Sequence, residues 1–162
     1  MKWRKPTYLK EIKMTKVSSK DKVLHIGCGI LPTASVFIAE ETNAKVVGID
    51  NNNKTLKFAQ QFVDKSGLSD LIKIEYGDGV DYPVESFNAI IVSGCSLPKI
   101  KILEHIFEGA KPQSKIIIRE PSTTTKSVID CINMHQDIVL VNKMENNPFP
   151  FFGWQSFYLI KK

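Results

Sequence analysis

The segment Val23-Leu24-His25-Ile26-Gly27-Cys28-Gly29-Ile30-Leu31-Pro32-Thr33 constrains the fold of this chain more than any other stretch. A short, mostly apolar run leads into two glycines separated by one residue. A second apolar run follows and closes on Gly48-Ile49-Asp50. A buried strand, a glycine turn, the start of a helix and a second strand with an acid at its tip make up half of a nucleotide-binding α/β fold. Gly27 and Gly29 let backbone N–H groups approach a ligand that a Cβ would hold away. Asp50 stands where a carboxylate accepts both hydroxyls of a ribose.

Downstream, the apolar periodicity switches repeatedly between helix and strand. Ala34, Phe37 and Ile38 share a helical face, and 45–49 reads as a strand. Leu56, Ala59 and Val63 mark a helix that Gly67 stops. A third strand over 71–76 runs into the turn-rich Gly77-Asp78-Gly79, and 87–93 reads as a fourth. Ile100, Leu103, Ile106 and Phe107 mark a helix opened by Pro98. The fifth strand, 115–119, carries Ile116-Ile117-Ile118, which suits burial on both faces. Val128, Ile129 and Ile132 mark one more helix before two last strands, 138–141 and 154–160. The link 142–153 is rich in Asn and Pro and reads as a loop between antiparallel neighbours. The expected architecture is therefore α/β: a Rossmann-like sheet of seven strands, mostly parallel with one antiparallel strand near the C-terminus, and helices on both faces. Residues 1–162 read as one domain, with 1–21 as an N-terminal helical extension whose Tyr8, Leu9 and Ile12 face the sheet.

Composition narrows the class. Hydrophobic residues make up 43% of 162, enough for one sizeable core. No apolar run reaches the roughly 18–20 residues of a membrane span, so no membrane partner is expected. The N-terminus is basic but lacks the apolar centre of a signal peptide. Cys28, Cys95 and Cys131 are far apart without CxxC spacing, and read as free thiols in a reducing cytoplasm. His25, His105 and His135 are dispersed, and no metal set is expected. The net charge of +5 is densest at Lys10, Lys13, Lys16, Lys20 and Lys22. No aromatic residue interleaves with these lysines, which reads as a solvated face; nucleic acid is not the favoured partner.

In a doubly wound sheet the strand ends converge on one crevice. Here they bring together Gly27 to Gly29, Asp50, the turn 77–80 and Ser93-Gly94-Cys95. Each has a plainer reading. A lone GxG occurs in ordinary turns; Asp50, Asn51 or Asn52 could cap a helix; Asp78-Gly79 could be a turn pair. The order and spacing of all four carry the ligand-site reading.

This pattern resembles the class I S-adenosylmethionine (SAM) methyltransferase superfamily. Gly27-Cys28-Gly29-Ile30-Leu31-Pro32-Thr33 is more closely similar to the loop of nicotianamine synthases and their microbial relatives, in which Leu-Pro follows the glycines. The similarity continues through Gly77-Asp78, Leu97-Pro98-Lys99 and the strand from Ile116 to Arg119. It implies SAM as cofactor, with His25, Gly27, Cys28, Gly29, Asp50, Asn51, Asp78, Gly79, Ser93 and Gly94 as binding residues. The glycine loop would pass under the methionine part, Asp50 would hold the ribose, and Asp78 with the Gly79 backbone would meet the adenine edge. Residues 93–96 would line the reaction centre. Three departures stand out. His25, neutral or positive near pH 7, replaces the acid that usually helps hold the SAM amino group. Leu31 stands in place of a third glycine, and the fourth strand is not followed by Asn-Pro-Pro-Tyr.

The resemblance implies a SAM-dependent methyltransferase acting on a small-molecule acceptor. Tyr8 and Glu120 are catalytic candidates for orienting or deprotonating that acceptor, in a pocket also lined by Ser93 and Cys95. The alternative is aminocarboxypropyl transfer of the nicotianamine synthase kind, or SAM binding without catalysis. Nicotianamine synthases complete their cleft with a helical domain placed before the SAM-binding domain. The short stretch before the first strand here implies that an oligomer or a partner subunit would supply that half. A cleft-facing cation at His25 would repel the SAM ammonium, so an acid at position 25 is expected to tighten binding.

Overall fold

The computed structural model describes residues 5–146 and 153–162; residues 1–4 of the expected extension and 147–152 of the expected loop lie outside them. The elements run α1 (Lys5–Thr15), β1 (Lys22–Ile26), α2 (Thr33–Thr42), β2 (Lys45–Asp50), α3 (Asn53–Lys65), β3 (Ile72–Tyr76), β4 (Ala89–Val92), α4 (Lys99–Gly109), β5 (Lys115–Pro121), α5 (Thr125–Met134), β6 (Ile138–Asn146) and β7 (Trp154–Lys161). The seven strands form one sheet in the order β3-β2-β1-β4-β5-β7-β6. β1 to β5 pair in parallel, and β7 enters antiparallel between β5 and β6. This is the expected fold class, down to the single reversed strand.

The alternation of side chains along each strand divides the core between two faces. On one face, Val23, Val46, Ala89, Ile91 and Ile117 pack against Val36, Ile38 and Ala39 of α2 and Val63 of α3. On the other, Leu24, Ile49, Ile90, Ile116, Ile118 and Phe157 pack against Ile102, Leu103, Ile106 and Phe107 of α4 and Val128 and Ile132 of α5. β4 is buried at all four positions, as a central parallel strand covered on both faces must be. The stretch 77–88 crosses from β3 to β4 without a helix, and its Val84 and Phe87 are buried in the second core layer.

Two expectations change. The link after 141 is not all loop: β6 continues through Asn146, with Asn142 to Asn146 paired along Tyr158 to Trp154. An irregularity between Leu140 and Asn142 resets the register there. Local Asn content favours a turn, but a long β7 offers these residues backbone partners, and the pairing wins.

The face of α1 also differs. Tyr8, Glu11 and Thr15 are buried, whereas Leu9 and Ile12 are half-buried. A glutamate sits at the centre of the packed face because it meets a buried arginine from β5. Arg119 Nε and Nη2 donate to the two Glu11 carboxylate oxygens at 3.0 and 2.6 Å, and the Ser156 hydroxyl donates to Glu11 Oε1 at 2.6 Å. The arginine also lies 4.9 Å from the centre of the Tyr8 ring. α1 is thus fixed to β5 and β7 by a polar network, while Ile12 packs against the first core layer and Tyr8 against Ala34 and Phe37.

Candidate functional site

The strand order reverses between β1 and β4, whose connections leave in opposite directions along the sheet. Two cavities open at the C-terminal ends of the strands beside this point, where open α/β sheets bind ligands. The first, about 480 Å³, lies between α1, the glycine loop and the ends of β4 and β5. Its walls include Tyr8, His25, Leu31, Ser93, Arg119 and Trp154. The second, about 360 Å³, lies over β2 and β3 and is bordered by Asp50, Asn51, Asp78, Gly79, Ser96 and Leu97. Gly27, Gly29 and Cys95 border both. All ten expected cofactor residues line one or both cavities.

The glycine loop is shaped by its backbone. Gly27 and Gly29 have φ of 72° and 67°, in the left-handed region that L side chains rarely adopt. A Cβ on Gly27 would lie 2.1 Å from Ser96 Oγ, whereas one on Gly29 would meet no atom within 4 Å. Gly29 therefore borders open space that a ligand can fill. Asp50 fixes the loop: its Oδ2 accepts the Gly29 N–H at 3.0 Å, and its Oδ1 accepts the Asn52 N–H at 3.0 Å and the Thr55 hydroxyl at 3.3 Å. The helix cap itself is Asn52, whose side chain accepts the Lys54 N–H. The Asp50 carboxylate is thus not a free acceptor but a loop latch that keeps further lone pairs for a ligand. Across the second cavity, Asn51 Nδ2 donates to Asp78 Oδ2 at 3.0 Å, and Asp78 Oδ1 accepts the Val80 N–H at 3.2 Å.

Of the two charge states that the sequence allows His25, its surroundings favour the neutral one. His25 is 2% exposed, with Nδ1 2.7 Å from Ser35 Oγ and Nε2 2.9 Å from Ser93 Oγ. Burial, with the Arg119 cation nearby, pushes its pKa down to about 3. The imidazole is therefore neutral at physiological pH, and no cation at position 25 repels a ligand ammonium. The expected benefit of an acid there loses its cause, because a carboxylate would have to be buried where a neutral ring now satisfies two hydroxyls.

The same burial makes stability pH-dependent. The native pKa of about 3 lies below the ordinary histidine value, so the unfolded state takes up the proton first. The contribution is whole above about pH 6.5 and is lost as pH falls towards 3, at up to about 1.4 kcal/mol per unit. Urea unfolding between pH 7.5 and 4 should show a steeper loss for the wild type than for His25→Gln. Parallel pH dependences would show that the ring is protonated in the native state.

The two catalytic candidates part company. Tyr8 lines the first cavity, its hydroxyl 3.2 Å from Thr33 Oγ1 and its ring against Phe37. Glu120 lines neither cavity, because strand alternation turns it away from Arg119 to the opposite face of β5. Its Oε1 accepts the Thr124 hydroxyl at 2.6 Å, and its Oε2 lies 3.4 Å from Lys99 Nζ. The buried Lys99 amine donates to the carbonyls of Ser93 at 2.6 Å and Arg119 at 3.1 Å, tying the ends of β4 and β5 together. Sequence reasoning missed Arg119, Trp154 and the Lys99 brace. No local pattern marks them, since Arg119 meets Glu11 across 108 residues of chain.

The chain belongs to the methyltransferase domain family, whose pattern matches residues 17–155. S-adenosylmethionine is the cofactor of that family. Over 96 residues the chain is 35% identical to a sterol 24-C-methyltransferase of Gibberella zeae, covering 56% of this chain and 25% of that protein. It is 27% identical over 130 residues to the L-histidine 2-aminobutanoyltransferase of Yersinia pestis, covering 78% of this chain and 47% of that one. The chain thus spans a quarter to about half the length of these curated relatives. Among solved structures, a variant of the nicotianamine synthase MtNAS in complex with S-adenosylmethionine superposes with a TM-score of 0.76 at 16% identity, covering 96% of this chain and 62% of that one. That likeness concerns the fold.

Proposed function

We propose that this protein transfers a methyl group from SAM to a small-molecule acceptor. The observation that carries the reading is the pair of cavities meeting at Gly27, Gly29 and Cys95. An elongated cofactor with a nucleoside at one end and an amino acid at the other fits such a divided cleft. The latched Asp50 offers remaining lone pairs to ribose hydroxyls, and the Asn51–Asp78 pair borders the adenine end. When bound, SAM supplies an electrophilic carbon on a sulfonium, and the protein mainly contributes orientation. Tyr8 and Thr33 present hydroxyls to the first cavity, where they can orient an acceptor. Ile30 and Leu31 are 49% and 55% exposed at its rim, which favours an acceptor with an apolar part.

Aminocarboxypropyl transfer is the second reading, favoured by the Leu31-Pro32 loop and by the aminobutanoyltransferase relative. Mass spectrometry of the protein incubated with SAM and a panel of small-molecule acceptors separates the two. S-adenosylhomocysteine with a methylated acceptor supports the first; methylthioadenosine with an acceptor enlarged by an aminocarboxypropyl group replaces it with the second.

Gly29→Val tests the cleft itself. The branched side chain would project into open space and strain a left-handed backbone by about 1–2 kcal/mol. SAM affinity should fall at least about 100-fold while the folded state survives with a lower Tm. Wild-type affinity in this variant would make the loop an ordinary turn.

A further inference from the structure

Ser93 is held from two sides. Its carbonyl accepts the buried Lys99 amine, and its hydroxyl lies 2.9 Å from His25 Nε2. His25 Nδ1 is in turn 2.7 Å from the hydroxyl of Ser35, which is fully buried and has no other hydrogen-bond partner among the described residues. A neutral imidazole carries one proton, so this chain of three groups can run in one of two directions. If Nδ1 carried the proton and donated to Ser35, the Ser35 proton would be buried without an acceptor, which costs free energy. If Nε2 carries it, Ser35 donates to Nδ1, Nε2 donates to Ser93, and every buried donor is paired. The one proton left over is that of the Ser93 hydroxyl, which is half-buried on the wall of the first cavity. The structure thus presents Ser93 to the cavity as a hydrogen-bond donor. Among the described residues, the first cavity has no carboxylate on its wall, and its one charged side chain, Arg119, is neutralised by its ion pair with Glu11. The Ser93 proton therefore has no competing carboxylate acceptor on this wall and is available to an anionic oxygen of a ligand.

We propose that Ser93 donates a hydrogen bond to the carboxylate at the amino-acid end of SAM, with His25 and Ser35 as positioning residues that fix its direction. The inference rests on the cleft being the SAM site. It inverts the recognition that the replaced acid at position 25 would provide: the cofactor is gripped here by its carboxylate instead of its ammonium.

Calorimetric titration of the wild type and Ser93→Ala with SAM and with decarboxylated SAM tests the proposal. The wild type should prefer SAM. Ser93→Ala should weaken SAM binding about 10- to 150-fold, the range for a hydrogen bond to a charged group, and leave decarboxylated SAM within about twofold. Ser93→Thr, which keeps a hydroxyl, should recover most of the loss. Equal losses for the two ligands, or none for either, overturn the proposal while leaving the SAM site standing. Failure of the wild type to bind SAM overturns both. If SAM binds but the carboxylate contacted by Ser93 belongs to the acceptor, Ser93→Ala will change acceptor affinity and not SAM affinity, which also overturns the assignment. The tautomer has its own readout. Long-range 1H–15N correlation spectra should show His25 protonated at Nε2 in the wild type; a proton at Nδ1 would reverse the wire and remove its basis.

Discussion

Glu11→Ala should destabilise this protein by about 3–5 kcal/mol, the cost of leaving a buried cation without its partner. Glu11 is 2% exposed and Arg119 8%, and their two-point contact is completed by the Ser156 hydroxyl. Removing the carboxylate leaves the guanidinium buried against Tyr8 with no counter-charge. The double variant Glu11→Leu with Arg119→Met should recover most of the loss, since apolar groups of similar volume need no partner. Urea unfolding of both variants measures this. A loss below about 1 kcal/mol in Glu11→Ala would mean that water reaches the pair and that it behaves as a surface ion pair. The consequence extends to function, because α1 carries Tyr8 into the first cavity and is held there by this network. Glu11→Ala should therefore also weaken acceptor binding more than cofactor binding.

Asp50→Ala is expected to weaken SAM binding by roughly 10- to 150-fold, the equivalent of about 1.5–3 kcal/mol for a lost charged acceptor. Two effects act together. The ribose loses its acceptor, and the Gly29 N–H, the Asn52 N–H and the Thr55 hydroxyl lose their shared carboxylate. Methylthioadenosine, which has the ribose but no amino acid, separates them. If Asp50 contacts the ribose, methylthioadenosine affinity should fall in step with that of SAM. A loss confined to SAM would make Asp50 a latch of the loop alone, and unchanged affinity for both would remove it from the site. Asp50→Asn, which keeps a neutral acceptor for the latch, should fall between the wild type and the alanine variant.

Much of this protein was legible along the chain because its elements are locally encoded. Ile116-Ile117-Ile118 is buried throughout because a central strand is covered on both faces, and that requirement leaves an uninterrupted apolar run. The helix-free spacing of the last two strands announced the reversed strand. Gly27, Gly29 and Asp50 lie at the ends of adjacent strands, so their order in the sequence already brought them to one crevice. Tertiary structure decided what those residues meet. A histidine next to the glycine loop reads as a titratable cation until burial shows it neutral between two serines. A glutamate in α1 reads as solvated until a β5 arginine is found beneath it, and Glu120 reads as cleft-facing until strand alternation turns it to the other side. Periodicity and turn chemistry act over a few residues and can be read in order. Ionisation, pairing and the direction of a proton depend on neighbours tens to more than a hundred positions away, and only the packed chain brings those together.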